Sequence, residues 1–476
     1  MTGLIPDPLE SGIANFARRF RNGDVRAADV VAAYLSRIAD LEPALACFEY
    51  VAGQALEQAR ALDALLASGV DLGPLMGVPV VFKDLIQVDG MPTTAGSNLA
   101  VPDMIGTEGT FVRRLKRAGC VMLGKVKTVE FARGASGINT ARGTPRNPWD
   151  ARRRRAPGGS SSGSGVAMAA GLTGFAVGTD TGGSVRNPAA FCGVFGMKTT
   201  HGLWPTDGMC PMSPSLDTIG LLTRSAADAA AVFAGIEEIA TPAALPIRGL
   251  RLGRPTYHFF DGLDPAVSSR CEAVLDQLAR AGADIVPIEF PEVVERLEFL
   301  RDFTTPEFLA VLGRDRLLAA RNVLTPMTVE RTLPALDVKA DAYIRMIWRM
   351  RELKSVIADR MRGLDAWLAP TIGMLPPTLD EIEDVEQGLA LEARLGLNTH
   401  NVSIWGLCAA SIPVQAPGFL PIGLQVVCAG GADIGLLAIS RAIEEEIGFP
   451  PRPDLRPFLA AAKSLDAPER NDDEGE

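Results

Sequence analysis

Two glycine-serine stretches constrain this chain more than any other part of it. One is Gly158-Gly159-Ser160-Ser161-Ser162-Gly163-Ser164 and the other Gly178-Thr179-Asp180-Thr181-Gly182-Gly183-Ser184-Val185-Arg186, and in each a serine follows a glycine pair. Without Cβ atoms such loops let the backbone approach closely and turn several N–H groups towards one point. Ser164–Ala170 reads as a helix whose N-terminus follows the first cluster, and Phe175–Val177 as a strand presenting the second loop at its end. Upstream, Gly77-Val78-Pro79-Val80-Val81-Phe82-Lys83-Asp84 places a lysine at the end of a short β-branched run.

Elsewhere the apolar spacing predicts helices through 9–68, strongest at 27–38 and 54–66, with breakers at Gly23, Pro43 and Gly69. A helix over 110–118, a buried strand over 121–124 and an Arg/Pro/Gly-rich loop over 142–159 follow. Strands at 250–253 and 284–287 flank a helix at 265–281; a largely helical stretch covers about 291–362. Late strands at 364–368 and 422–427 precede a closing helix at 432–447. Alternating strands and helices place the chain in the α/β class.

Composition narrows the function classes. Hydrophobic residues at 47% and charged residues at 22%, with 48 glycines and 34 prolines, describe a globular enzyme with a large core and many loops. A net charge of −10 argues against a general nucleic-acid-binding role. Seven scattered cysteines without a C-x-x-C pair predict free thiols in a reducing cytoplasm, and with only three histidines no zinc site is expected. The N-terminus has no basic region followed by an apolar one, and the longest apolar run, 165–178, is too short and too rich in glycine and alanine to span a bilayer. The acidic segment 466–476 is expected to be disordered.

Amide hydrolysis needs a nucleophile, a base for its proton, and donors aimed at the developing oxyanion. Ser184, behind Thr181-Gly182-Gly183, is the candidate nucleophile. Lys83, between Val80-Val81-Phe82 and Leu85-Ile86, is the candidate base, since burial lowers a lysine pKa towards neutrality. Ser160 would pass the proton between them. Taken singly, the same features read as a tight turn, a lysine paired with Asp84 and a flexible linker or helix cap at Ser160–Ser164; together they favour chemistry. His201 invites a Ser-His reading, but no G-x-S-x-G surrounds Ser184, so it is taken as structural or pocket-lining. Gly163-Ser164-Gly165 lacks the third glycine of a dinucleotide loop, and Arg152–Arg155 reads as a solvated loop that could influence substrate entry.

The ordered motifs resemble the amidase signature family. The likeness runs from Gly77–Asp84 through Thr93-Thr94-Ala95-Gly96-Ser97, Leu123-Gly124-Lys125, Arg146-Asn147-Pro148-Trp149 and the serine cluster to Asp180–Pro188 and Phe191-Cys192-Gly193. It resumes at Ser215-Leu216-Asp217-Thr218-Ile219-Gly220 and Leu420–Gln425. Ser162 stands where the family often has glycine, and Leu221 where it often has proline. The resemblance implies a large mixed β-sheet core covered on both faces by helices. It implies one domain over 1–465: a helical part (1–70), a catalytic core (71–230), a substrate-shaping region with late strands (231–430) and a closing segment (431–465). It also implies a Ser–cis-Ser–Lys triad of Ser184, Ser160 and Lys83, with a cis peptide bond at or beside Ser160. The oxyanion hole would be the N–H groups of Thr181, Gly182, Gly183 and Ser184. Ser161 would support the network; Asp180, Arg186 and Asp217 would be buried charges holding loops; Gly134 would line the substrate pocket.

Function follows as an expectation: cleavage of amide, and also ester or carbamate, bonds through an acyl-enzyme, with no cofactor and no metal. Tyr257-His258-Phe259-Phe260, the 291–400 helices, Trp405 and Phe419 would shape an apolar pocket favouring aryl or alkyl substrates over small charged ones. Small molecules are the expected partners, with a homodimer implied by the family. The alternative is the glutaminase component of a tRNA-dependent amidotransferase, ranked second because Asn187 replaces that group's usual glutamine and Thr200–Gly208 its Tyr-Gly-rich segment. An inert amidase-like scaffold ranks last, since all three triad positions are filled.

Overall fold

A computed structural model describes residues 4–382 and 385–459, so the acidic segment 466–476 lies outside the described residues. Eleven strands form one mixed sheet: β1 (Phe48–Val51), β2 (Pro79–Lys83), β3 (Val121–Val126), β4 (Phe175–Asp180), β5 (Phe195–Lys198), β6 (Thr218–Thr223), β7 (Arg251–Pro255), β8 (Asp284–Ile288), β9 (Ala366–Pro370), β10 (Cys408–Pro413) and β11 (Gly423–Cys428). Their order across the sheet is β1-β3-β2-β4-β6-β5-β10-β11-β9-β7-β8. Every residue of β2–β6 and β9–β11 is buried, as strands covered by helices on both faces must be.

Four strands escape sequence reading. β1 sits among strong helix formers, and β5 and β6 carry a glycine within short runs. β10, Cys-Ala-Ala-Ser-Ile-Pro, has little intrinsic strand preference; antiparallel pairing with β5 on one side and β11 on the other makes it one. Pro43 is no breaker either. The helix Ala27–Leu45 continues through it, with Leu41 and Leu45 fully buried beneath, and stops at left-handed Ala46.

This topology sets the site. β2 and β4 are parallel neighbours in the register Val80↔Phe175 and Phe82↔Val177, so both end at one edge, β2 with Lys83 and β4 with Asp180. The helices Ser162–Ala169 and Arg186–Cys192 begin just beyond the two serine loops, and both are buried at every position. Residues 291–360 are built of short helices, including a π-helical turn at Leu300–Thr304, and one long helix, Ala340–Arg360. Among the described residues no helix is long and apolar enough to cross a membrane, and all seven cysteines are free and buried.

Candidate active site

Lys83 is fully buried and donates from Nζ to Ser160 Oγ at 2.7 Å and to Thr179 Oγ1 at 2.8 Å. Burial pushes its pKa from 10.5 down to about 7, against the opposing pull of Asp180 and Asp217. An amine so placed can accept a proton near neutral pH. The Gly159–Ser160 peptide bond is cis. The Ser160 carbonyl accepts from the Val129 N–H at 3.1 Å and from Thr128 Oγ1 at 3.0 Å, which fixes the residue from its backbone side. Ser161 donates its N–H to the Ser184 carbonyl at 3.1 Å, and its Oγ bridges the N–H and carbonyl of Thr179. The two serine loops and the lysine strand are thus tied together. Of Lys83, Ser160 and Ser184, only Ser184 keeps exposure, 9%, and it lines a cavity of about 300 Å³.

Thr181 and Gly182 line the same cavity, with Gly134 on its wall. Gly183 does not: its N–H donates to Asp180 Oδ1 at 2.7 Å. The expectation that Gly183 supplies an oxyanion donor is corrected, because Asp180 has taken that hydrogen to hold the loop. The two glycines are demanded by space. A Cβ on Gly182 would lie 2.4 Å from the His400 ring, and one on Gly183, whose φ is +124°, 2.3 Å from Thr399 Oγ1.

Asp180 and Arg186 form a fully buried ion pair, Nη2 to Oδ1 2.9 Å and Nε to Oδ2 3.0 Å. Burial alone would raise the Asp180 pKa, but Arg186 and Lys198 outweigh it and hold it below the usual carboxylate range. Burial raises Asp217 to about 6 even though Thr181 Oγ1 and the N–H groups of Met212 and Ser213 donate to it. Both carboxylates brace the loop from behind.

The remaining pocket expectations change. Phe259 is buried in an aromatic cluster with Phe290, Trp367 and Trp405, Phe419 is exposed, and none of these, nor Tyr257, His258 or Phe260, lines the cavity. Large rings were drawn to the core by the area they bury. Phe259→Leu is expected to cost about 1–2 kcal/mol in denaturant unfolding and to leave KM unchanged; a raised KM would return Phe259 to the pocket. The wall is also not simply apolar: Arg133, Arg331 and Glu392 stand with Leu297, Leu300 and Leu389. His201 is exposed and bonded to the Pro214 carbonyl, away from the cavity. Ser164 lies inside its helix, donating to the Val177 carbonyl at 3.4 Å, so it is not a cap. No residue of Arg152–Arg155 lines the cavity; Arg155 pairs with Asp150 at 2.8 Å.

A family model described as Amidase matches residues 29–437. The chain belongs to the amidase signature family. It is 37% identical over 444 residues to 2-amino-5-chloromuconic acid deaminase of Comamonas testosteroni, covering 92% of this chain and 96% of that one. It is 34% identical over 476 residues to a glutamyl-tRNA(Gln) amidotransferase subunit of Symbiobacterium thermophilum, covering 91% and 96%. A solved structure described as an amidase superposes with a TM-score of 0.84 at 29% identity, covering 92% of this chain and all of that one. Membership makes the protein an amidase-type hydrolase of C–N bonds.

In this amidase sequence reading missed Thr179, the second partner of Lys83, although it stands in the second glycine-serine stretch, near the end of β4. It also missed His400, Arg133, Arg331 and Glu392. His400 comes from a short helix, His400–Ile404, far along the chain, and only the empty Cβ positions of Gly182 and Gly183 hinted that something packs there. Burial, then the nearby arginines, hold the His400 imidazole well below its ordinary pKa, so it is neutral. Among the described residues no three His, Cys, Asp or Glu side chains gather as around a metal ion.

Proposed function

We propose that this protein hydrolyses the amide bond of a small molecule with Ser184 as nucleophile, Ser160 as proton relay and Lys83 as base. The Lys83–Ser160 hydrogen bond of 2.7 Å, made by a lysine whose pKa burial brings to about 7, is the observation that carries the reading. Ser184 Oγ attacks the carbonyl carbon while its proton moves through Ser160 to the neutral amine of Lys83. The C–O bond forms and the carbonyl π pair moves to oxygen. The N–H groups of Thr181, Gly182 and Ser184, which Asp180 does not engage as it engages that of Gly183, would face that oxyanion. Collapse breaks the C–N bond, and the Lys83 proton returns through Ser160 to the departing nitrogen. Water then repeats the sequence on the acyl-enzyme, giving a carboxylic acid and free Ser184. Esters and carbamates would follow the same route.

The acyl-enzyme is the test. A slowly deacylated ester or carbamate is expected to add its acyl mass to the intact protein, at the peptide bearing Ser184, and to add none to Ser184→Ala. Acylation elsewhere, or undiminished turnover by Ser184→Ala, would sink the assignment. The amidotransferase relative keeps one second reading alive, release of ammonia from glutamine for a partner. Turnover of glutamine alone among amides, with a partner co-purifying, would favour it. The deaminase relative, named for 2-amino-5-chloromuconic acid, suits a small-molecule substrate.

A further inference from the structure

We propose that the substrate of this cavity carries a free carboxylate, held by Arg133 with Arg331 beside it. The inference rests on the cavity being the substrate site, as proposed above. It also departs from the expectation of an apolar pocket that favours aryl or alkyl substrates over small charged ones.

Arg133 is 4% exposed, yet it lines the cavity that Ser184 opens into. Its Nη2 donates to the Arg331 carbonyl at 2.6 Å, the Phe308 ring lies 4.8 Å from the guanidinium carbon, and its buried Nε has no hydrogen-bond partner among the described residues. Among the described residues no carboxylate lies within ion-pair distance of it. Glu392, the acid among the residues lining the cavity, is already occupied: it pairs with Arg331 at 3.1 Å and accepts the N–H groups of Ala135 and Ser136. Arg301, the other cation lining the cavity, pairs with Asp302 at 2.7 Å. Burial, then Arg331, push Arg133 down to about 9. A buried cation without a partner is costly, and an anion arriving in the cavity would supply one.

The backbone sets this position specially. Phe131 and Ala132, just before Arg133, are both left-handed at φ 49° and 60°, a conformation that non-glycine residues adopt at a cost and that gathers at functional sites. Gly134 follows, where a Cβ would stand 2.9 Å from Val129 Cγ1. A planar guanidinium matches a carboxylate with two parallel hydrogen bonds. The cavity volume, about 300 Å³, is at the small end for ligand sites and suits a short acid amide.

The experiment compares succinamate and N-acetylglycine with butyramide and with the methyl ester of each acid, using wild type, Arg133→Met and Arg133→Lys. The carboxylated amides are expected to exceed their neutral counterparts by about 10- to 100-fold in kcat/KM. Arg133→Met should remove that advantage, mainly through KM, costing the carboxylated amides about 10- to 100-fold more than the neutral ones; Arg133→Lys should recover part of it. Separately, calorimetry on Ser184→Ala with malonate, succinate, glutarate and adipate should show binding that Arg133→Met added to Ser184→Ala abolishes. Equal turnover of neutral and charged amides, or an Arg133→Met loss common to both, would overturn the proposal. So would the absence of any Arg133-dependent dicarboxylate binding where no amide is turned over. Failure of the catalytic assignment looks different: turnover would survive in Ser184→Ala while its dependence on Arg133 remained readable.

Discussion

Lys83→Met is expected to lower kcat/KM by about 10²–10⁴-fold, while the protein folds and unfolds at a higher temperature than the wild type. Lys83 Nζ sits in no ion pair among the described residues; it is fully buried and donates to the hydroxyls of Ser160 and Thr179. Its pKa falls from 10.5 to about 7 because burial disfavours the charged form more than Asp180 and Asp217 support it. The base acts when neutral, so wild-type kcat/KM should rise with pH through about 7 and level above it. The variant should lack that rise. Stability runs the other way. Between about 7 and 10.5 the unfolded chain binds a proton that the folded chain does not, so wild-type stability rises with pH across that window. Methionine neither binds the proton nor must be desolvated as an ammonium, so the variant loses this slope and gains stability where the wild type is weakest. Measuring both rate and unfolding against pH checks the pair of claims. A rate rise near 7 persisting in Lys83→Met would assign it to another group.

What the sequence could reveal follows from how local each feature is. The end of β2 was legible because a β-branched run stops at Lys83, a signal that lies within a few residues, whereas β4, read as stopping at Val177 before its glycine, carries on to Asp180. The serine loops were legible for the same reason: glycine pairs mark close approach wherever they fold. The strand β10 was not, since Cys-Ala-Ala-Ser-Ile-Pro acquires its state from β5, far away in sequence, and from β11 beyond a loop. Pocket walls were least legible. Phe259 and Trp405 looked like pocket rings, but an aromatic side chain gives no local sign of whether it faces core or cavity. Arg133, Arg331 and His400 carry no local sign of a site, and only the fold brings them to one space of about 300 Å³. The loop donors show the limit most sharply. Composition makes Thr181, Gly182 and Gly183 equivalent, and a single carboxylate, Asp180, removes Gly183 from the set.

Arg186→Met is expected to destabilise the protein by about 3–5 kcal/mol, because it strands Asp180 rather than because the salt bridge was strongly stabilising. Arg186 is wholly buried and donates to both Asp180 oxygens, to Gln425 Oε1 at 2.6 Å and to Ser403 Oγ at 3.2 Å. It therefore joins the serine loop to β11 and to the His400–Ile404 helix. In the wild type the Asp180 pKa lies below its unfolded value, so its contribution is present above the unfolded pKa and lost only as pH falls through the folded one. Without Arg186, burial dominates and the folded pKa rises above the unfolded one. The sign then reverses, and the stranded carboxylate is relieved as pH falls and it takes up a proton. The stability gap between wild type and Arg186→Met should therefore narrow towards acid, and adding Asp180→Asn should recover part of it at neutral pH. Activity should fall further than stability, since Asp180 also holds the N–H groups of Gly183 and Val185 that shape the loop carrying Ser184. Denaturant unfolding of the single and double variants across pH decides the matter. A gap that widens towards acid, or a double variant no more stable than Arg186→Met, would show that the cost is lost packing and not an orphaned charge.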